Sequence, residues 1–304
     1  MAASRRRTFP LVPRRRLVGV PFGEQRSARR GVGSDIAGSR PYQPGDPVST
    51  IDWHATARRS AARGAEEFVV HTRYADEAPR VALVVDRRPA MALYPPELPW
   101  LSKPEASEAA TRVVTASALA ARAELAYLDL GDGRPFWVAP GSRAHAGGPR
   151  ERTGFSGPED SVARSLDFLL RHGRDLGPGT FVFVVSDFLV PPSTGLWQRA
   201  LSARWDPVPV VVQDPIWERS FPDVGGVVLP VLDPADETVR EVRLRRSEAR
   251  ARRLAHEARF RLLLTRFGRL GLDPVVLDGA AEFEVVQAFL RWAERRRLAR
   301  RAHR

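Results

Sequence analysis

From residue 80 to its end, the chain alternates short apolar runs with longer stretches of helical spacing, and this alternation constrains the fold more than any other feature. The run at 81–85 is continuous Val, Ala and Leu, the pattern of a strand buried on both faces of a parallel sheet, and 105–124 follows with helical spacing. Further strands are expected at 125–130, 136–139, 181–185, 207–212 and 274–277. Helices are expected at 158–174, 193–203, 247–269 and 281–300, the first opening on Pro158-Glu159-Asp160-Ser161 with proline and acids in its first turn. Residues 225–245 read as a β-hairpin insertion. The expected fold is therefore α/β, an open and mostly parallel sheet of Rossmann-like winding, whose ligand sites lie beyond the carboxyl ends of the strands. No internal repeat interrupts this reading.

At 304 residues and 43% hydrophobic content the chain has ample material for a core. It has no cysteine, which excludes a disulfide framework and a thiolate metal site. No apolar run reaches the roughly 18 residues that a membrane helix requires. The start, Arg5-Arg6-Arg7 before Thr8-Phe9-Pro10-Leu11, has the look of a twin-arginine signal, but Arg14-Arg15-Arg16 falls where the apolar region must follow. Export is not expected; the expected location is the cytoplasm, or the membrane periphery through a partner.

The net charge of +12 is concentrated in few places. Residues 1–30 hold nine arginines and one acid, residues 291–304 seven arginines and one acid, and residues 240–270 eleven arginines and three acids. The basic character is thus terminal and helical. Lys103 is the only lysine among 48 basic residues, a bias best explained by a GC-rich genome that favours arginine codons, with selection for bidentate phosphate or carboxylate contacts as the alternative. Residues 1–30 read as a disordered basic arm, 31–79 as a small N-terminal segment with a strand at 67–72 and a helical turn near 50–60, and 80–304 as the main domain.

Within the N-terminal segment, Arg40-Pro41-Tyr42-Gln43-Pro44-Gly45-Asp46 contains the residues of a type II turn, proline at its second position and glycine at its third. Ile51-Asp52-Trp53-His54 follows, with the aromatic Trp53 set between Asp52 and Arg58 as an anchor against a neighbouring domain. The order of these motifs, then Glu67-Phe68-Val69-Val70, then an apolar strand ending in Asp86, resembles a bacterial family catalogued as the fifty-eighth domain of unknown function. Ser186-Asp187-Phe188-Leu189, and Asp214-Pro215 with Trp217-Glu218 before Pro222-Asp223-Val224-Gly225, are similar to the family as well. The resemblance covers residues 30–300. It implies that the segment precedes a von Willebrand factor A-like domain and that the protein is a partner of MoxR-type AAA+ ATPases in the assembly or maturation of protein complexes.

Such domains hold a divalent cation at the carboxyl edge with D-x-S-x-S, a threonine from a second loop and an aspartate from a third, oxygen ligands suited to a hard cation. Here the first loop reads Asp86-Arg87-Arg88-Pro89-Ala90: Asp86 matches, while Arg88 and Ala90 replace the two serines. Asp187 matches the third-loop aspartate; Ser156 and Thr153 are the nearest candidates for the threonine. A guanidinium among the ligands opposes a cation. Asp86 and Asp187 are thus a degenerate metal site, with Arg88 or Arg87 expected in the cation's place and no cofactor expected. The alternatives are arginines that simply face water, and a true magnesium site.

Enzyme motifs are absent from the sequence. Lys103 has no Walker A glycines around it, no G-x-S-x-G or H-E-x-x-H occurs, and Gly31-Val32-Gly33 lacks the third glycine of a dinucleotide loop. The leading expectation is a non-enzymatic interaction scaffold, its partner-binding residues Arg40, Tyr42, Gly45, Asp46, Asp52, Trp53, Arg58, Arg87 and Arg88. The alternative is nucleic-acid or anionic-membrane binding by the arginine-rich termini, which the sequence supports by charge but by no motif. A hydrolase at the carboxyl edge is a third reading.

Overall fold

The structure is a computed structural model that describes residues 8–14, 36–44, 46–63, 67–73, 79–94, 101–142, 154–232 and 238–302. It divides into two compact units, residues 15–78 and residues 1–14 with 79–304.

In the first unit β1 (Ile36–Pro41) pairs antiparallel with β2 (Val69–Arg73), and α1 (Trp53–Arg63) lies between them in sequence. The Asp52 carboxylate caps α1 by accepting from the Ala55 N–H at 2.9 Å, and the Thr56 hydroxyl accepts from the Val69 N–H at 3.0 Å, which ties the helix to β2. The helix is longer than the single turn expected, because this cap and tie stabilise a segment whose own pattern is weak. β1 escaped the sequence reading altogether: it is short and carries Gly38 and Pro41, residue types depleted in strands.

The second unit is built on a six-stranded sheet. In chain order its elements are β3 (Arg80–Val85), α2 (Lys103–Ala120), β4 (Glu124–Asp129), β5 (Phe136–Val138), α3 (Ser161–His172), β6 (Phe181–Ser186), α4 (Thr194–Ser202), β7 (Asp206–Val212), β8 (Val227–Leu232), β9 (Val239–Leu244), α5 (Arg246–Arg269), β10 (Val275–Leu277) and α6 (Glu282–Ala302). The sheet order is β10-β7-β6-β3-β4-β5, parallel except for the β5 edge, while β8 and β9 form a separate antiparallel ribbon. The expected mixed α/β architecture is present.

Alternation along the strands sorts the core into two layers. Val81, Leu83, Val85, Phe181, Phe183 and Val185 pack with α2 and α6; Ala82, Val84, Val182 and Val184 pack with α3, α4 and α5. Both faces are therefore covered, which is why the strands read as unbroken apolar runs. Pro207 and Pro209 stand in β7 without disrupting it. They precede Val210–Val212, the only stretch that β10 pairs, so the donors they lack fall where β7 has a neighbour on one side only. α2 stops at Ala120 rather than 124: Arg122 takes φ 53° and the Ala123 N–H bonds the Ala118 carbonyl, a left-handed helix end made without the glycine that usually signals one. No described helix is long and apolar enough to cross a membrane.

One expectation fails. Residues 8–14, read as part of a disordered arm, pack against the sheet unit and bury Phe9 and Val12 in its core. Phe9 is 4% exposed, stacked on Phe289 at 4.5 Å and edge-on to Phe183 and Trp292, and its N–H donates to the Ser117 hydroxyl at 3.0 Å. Arg296, itself buried over the Trp292 ring, donates to the Val12 carbonyl and bidentately to Asp206, which also accepts from the Arg14 N–H. An isolated Phe and Val among Arg and Pro carry no periodic signal; only the site that receives them identifies them as core. The remainder of the expected arm, 1–7 and 15–30, lies outside the described residues. Phe9→Ala is expected to lower the unfolding free energy by about 3–5 kcal/mol in urea titrations. A change no larger than that of a surface substitution would show that the segment does not belong to the core.

Candidate functional site at the carboxyl edge of the sheet

β3 and β6 are parallel neighbours in register, Val85 beside Val185, so the residues that follow them, Asp86 and Asp187, arrive at the same place on the carboxyl edge. Both carboxylates are buried. The Arg88 guanidinium lies between them: Nε donates to Asp86 at 2.9 and 3.2 Å, and Nη2 to Asp187 at 2.5 Å. Arg88 is 1% exposed and also lies 3.6 Å from the exposed Glu159. The Ser186 hydroxyl donates to Asp86 at 2.7 Å and accepts from the Phe188 N–H, while the Leu189 N–H donates to Asp187 at 2.9 Å. Phe188, at φ 51°, holds a left-handed backbone conformation that non-glycine residues seldom adopt, and its ring packs against Trp197 and Phe267.

A second cation completes the network. Lys103, the first residue of α2, is fully buried, with Nζ 2.9 Å from Asp187, 2.5 Å from Glu218 and 3.1 Å from the Ala90 carbonyl. Glu218 accepts in turn from the Asp214 N–H at 2.9 Å. Asp214 accepts from the N–H groups of Leu101, Ile216 and Trp217, and Gln213 donates to the Asp187 carbonyl. The loops after β3, β6 and β7 and the start of α2 are thereby tied to one another through Asp187.

The electrostatics follow from burial and neighbours. Burial alone would raise Asp187, but Lys103 and Arg88 overcome it and hold the carboxyl below its usual range. Burial likewise disfavours both cations, yet the facing carboxylates raise Lys103 and Arg88 above their ordinary values. Glu218 goes the other way: burial, with Asp187 adding to it, raises its pKa despite Lys103. Tyr94, beside this cluster, is raised by burial and by Glu218, Asp214 and Asp187.

This arrangement does not fit a divalent cation. The carboxylate oxygens that would hold one are engaged by a guanidinium and an ammonium, and Arg88 and Ala90 supply no hydroxyl. Among the described residues no group of three or more His, Asp or Glu side chains is placed to hold a metal. Ser156 turns its hydroxyl to the Gly131 carbonyl instead, and Thr153 lies outside the described residues.

Of the two arginines, Arg88 takes the place between the aspartates. Arg87, 6% exposed, lies 5.1 Å over the Phe155 ring, and its carbonyl accepts from the Gly157 N–H. A Cβ at Gly157 would meet the Leu130 and Arg87 carbonyl oxygens at 2.9 and 3.0 Å, so this close approach requires glycine. Next to Arg87, the Tyr127 hydroxyl is pushed up to about 12 by burial and by the Asp129 carboxylate to which it donates. The expectation that Arg87 and Arg88 meet a partner directly is therefore corrected: burial leaves them to position loops, because their charges are turned inward on protein groups.

The other expected residues belong to the first unit. Arg40 and Asp46 form a bidentate pair at 2.8 and 2.7 Å, the Asp46 N–H bonds the Gln43 carbonyl across the turn, and Arg40 with the Gln43 N–H holds the Asp46 carboxyl below its ordinary value. Gly45 lies outside the described residues. Tyr42 and Trp53 both meet Phe68 edge-on, at 6.3 and 6.2 Å. Trp53 is 61% exposed, Arg58 is exposed, and Asp52 serves as the α1 cap.

Sequence reasoning missed Lys103, Glu218, Ser186 and Gln213 as members of the network. A signal for Lys103 existed: a lone lysine in a chain otherwise confined to arginine. An ammonium on a flexible stem meets three acceptors at one buried point, which a planar guanidinium does not.

The chain matches the family described as Protein of unknown function DUF58 over residues 38–261. Uncharacterized protein Rv1480 of Mycobacterium tuberculosis and uncharacterized protein Mb1516 of Mycobacterium bovis are each 30% identical to it over 252 residues, 77% of this chain and 71% of theirs. Among solved structures, an aerotolerance-related membrane protein from Bacteroides fragilis aligns with a TM-score of 0.39 at 9% identity, over 71% of this chain and 99% of that one. The conserved hypothetical protein BatB from Bacteroides thetaiotaomicron aligns with 0.37 at 11%, with the same coverage.

Lys103→Met removes one partner of a buried cluster and is expected to cost about 3–5 kcal/mol in denaturant unfolding; a neutral result would show that the ammonium is not needed there. Asp187, with its lowered folded pKa, stabilises the fold above the ordinary carboxylate range and loses that contribution as pH falls through the folded value. Glu218 has the opposite sign, its ionisation costing stability as pH rises from its ordinary value through its raised folded one. Unfolding midpoints over a pH series should therefore show a steep acid-side loss that Asp187→Asn flattens. Magnesium is expected to leave the thermal midpoint unchanged, whereas a bound cation at 100 times its Kd would add about 2.7 kcal/mol. A rise abolished by Asp86→Ala would overturn this.

Proposed function

We propose that this chain, which belongs to the DUF58 family, works as a non-enzymatic interaction scaffold of von Willebrand factor A-like design, a partner of a MoxR-type AAA+ ATPase in the assembly or maturation of protein complexes. The observation that carries this reading is the ion network centred on Asp187. In open α/β sheets the carboxyl edge is where ligands are met. Here the loops of that edge are held in one arrangement by protein cations, so a docking surface is preformed without a metal. Outside the network the β6 and β7 loops expose Val190 at 39% and Ile216 at 47%, and the exposed Glu159 ahead of α3 stands beside Arg88 at their rim. Apolar side chains held on rigid loops and rimmed by charge suit a protein contact.

The test must avoid the network itself, since reversing a buried charge at Arg88 or Asp187 would break the fold rather than probe its surface. Ile216→Glu and Val190→Glu are expected to abolish co-purification of the ATPase from native cells while leaving the thermal midpoint near that of the parent protein. Stoichiometric ATPase retained by both variants would remove this edge as the docking surface. Recovery of nucleic acid alone, lost as salt rises, would move the function to the arginine-rich segments.

A further inference from the structure

The β8–β9 ribbon is a sheet separate from the six-stranded one, and among the described residues each of its strands pairs with the other alone. Its register separates two faces. Leu229, Val242 and Leu244 lie on one and pack with Trp217, Phe221, Val224 and Ala249. The other face pairs Val228 with Arg243, Pro230 with Glu241 and Leu232 with Val239, all exposed, with Val228, Leu232 and Val239 at 52%, 45% and 63%. A two-stranded ribbon is marginal by itself; further strands and a broader apolar face stabilise it.

The two outer edges differ. β8 carries Pro230 at its middle, which removes a donor and guards that edge. β9, Val-Arg-Glu-Val-Arg-Leu, has no such guard. We propose that β9 pairs antiparallel with β9 of a second copy of this chain, joining two ribbons into a four-stranded sheet about a two-fold axis.

Symmetry restricts the register. About an axis normal to the sheet, residues facing each other must point to the same side, so the axis passes through a residue rather than between two. Placing it at Arg240, Glu241 or Arg243 sets that charge against its own copy. At Val239 or Leu244, the ends of the strand, almost no overlap remains. At Val242 the pairing sets Val242 against Val242 and, twice over, Glu241 against Arg243 of the partner copy. Arg240, Glu241 and Arg243 have no ion-pair partner within the chain among the described residues, so Glu241 and Arg243 are available for this exchange. The strand is thus self-complementary in one register, in both apolar and charged positions.

Sedimentation analysis of the full chain across micromolar concentrations tests this. The parent protein is expected to dimerise reversibly. Glu241→Arg and Arg243→Glu each turn two opposite-charge contacts into like-charge ones and should weaken association by about tenfold or more. Combining them exchanges the two charges and should restore dimerisation, a rescue that mere surface damage would not produce. Hydrogen exchange of the β9 amides should slow as protein concentration rises. A monomeric parent, single variants that associate normally, a double variant that stays monomeric, or exchange independent of concentration would each overturn the proposal.

Discussion

Asp187 is the charge on which the carboxyl edge depends. It is fully buried and touches Arg88 from the β3 loop and Lys103 from the start of α2, while the Leu189 N–H of its own loop donates to its carboxylate and Gln213 of the β7 loop donates to its carbonyl. A lone carboxylate in that position would have to take up a proton; two cations make the charged form the stable one. The cations are equally dependent on it, since neither has water to turn to. Such a cluster contributes less to net stability than its contacts suggest, because desolvation opposes them. It does exclude alternative arrangements of the loops, as any displacement strands a buried charge.

That dependence explains how the site stands to a metal-binding edge. A divalent cation gathers oxygen ligands from several loops and so fixes them relative to one another. Arg88 and Lys103 do the same gathering with hydrogen bonds to Asp86, Asp187 and Glu218. The consequence is that protein cations tie these loops together, with their charges engaged internally. Beyond the network Val190 and Ile216 are exposed on the β6 and β7 loops, and the exposed Glu159 reaches in to Arg88.

At the opposite end of the sheet, Arg296 and Asp206 play a related part for the N-terminal segment. Their pair accepts and donates to the backbone of residues 12–14, and Phe9 fills the space among Phe183, Phe289 and Trp292. The first described residues and the last helix thereby share one core, although the whole chain separates them. Contacts of such sequence separation leave no local trace.

The layered α/β sheet was readable from the chain alone, since strands buried on both faces must be apolar throughout and helices between them must repeat near every fourth residue. Asp86 and Asp187 were legible as acids at the ends of strands, and the family resemblance, through its missing hydroxyls, pointed to Arg88 or Arg87 between them, without separating the two or excluding arginines that face water. Lys103, Glu218 and the seat of Phe9 were decided only by the tertiary structure. A lysine at a helix start, a glutamate in a loop and a phenylalanine in an arginine-rich segment are each ordinary on a surface. Their meaning comes from burial beside particular partners, and burial is a property of the folded neighbours rather than of the local chain.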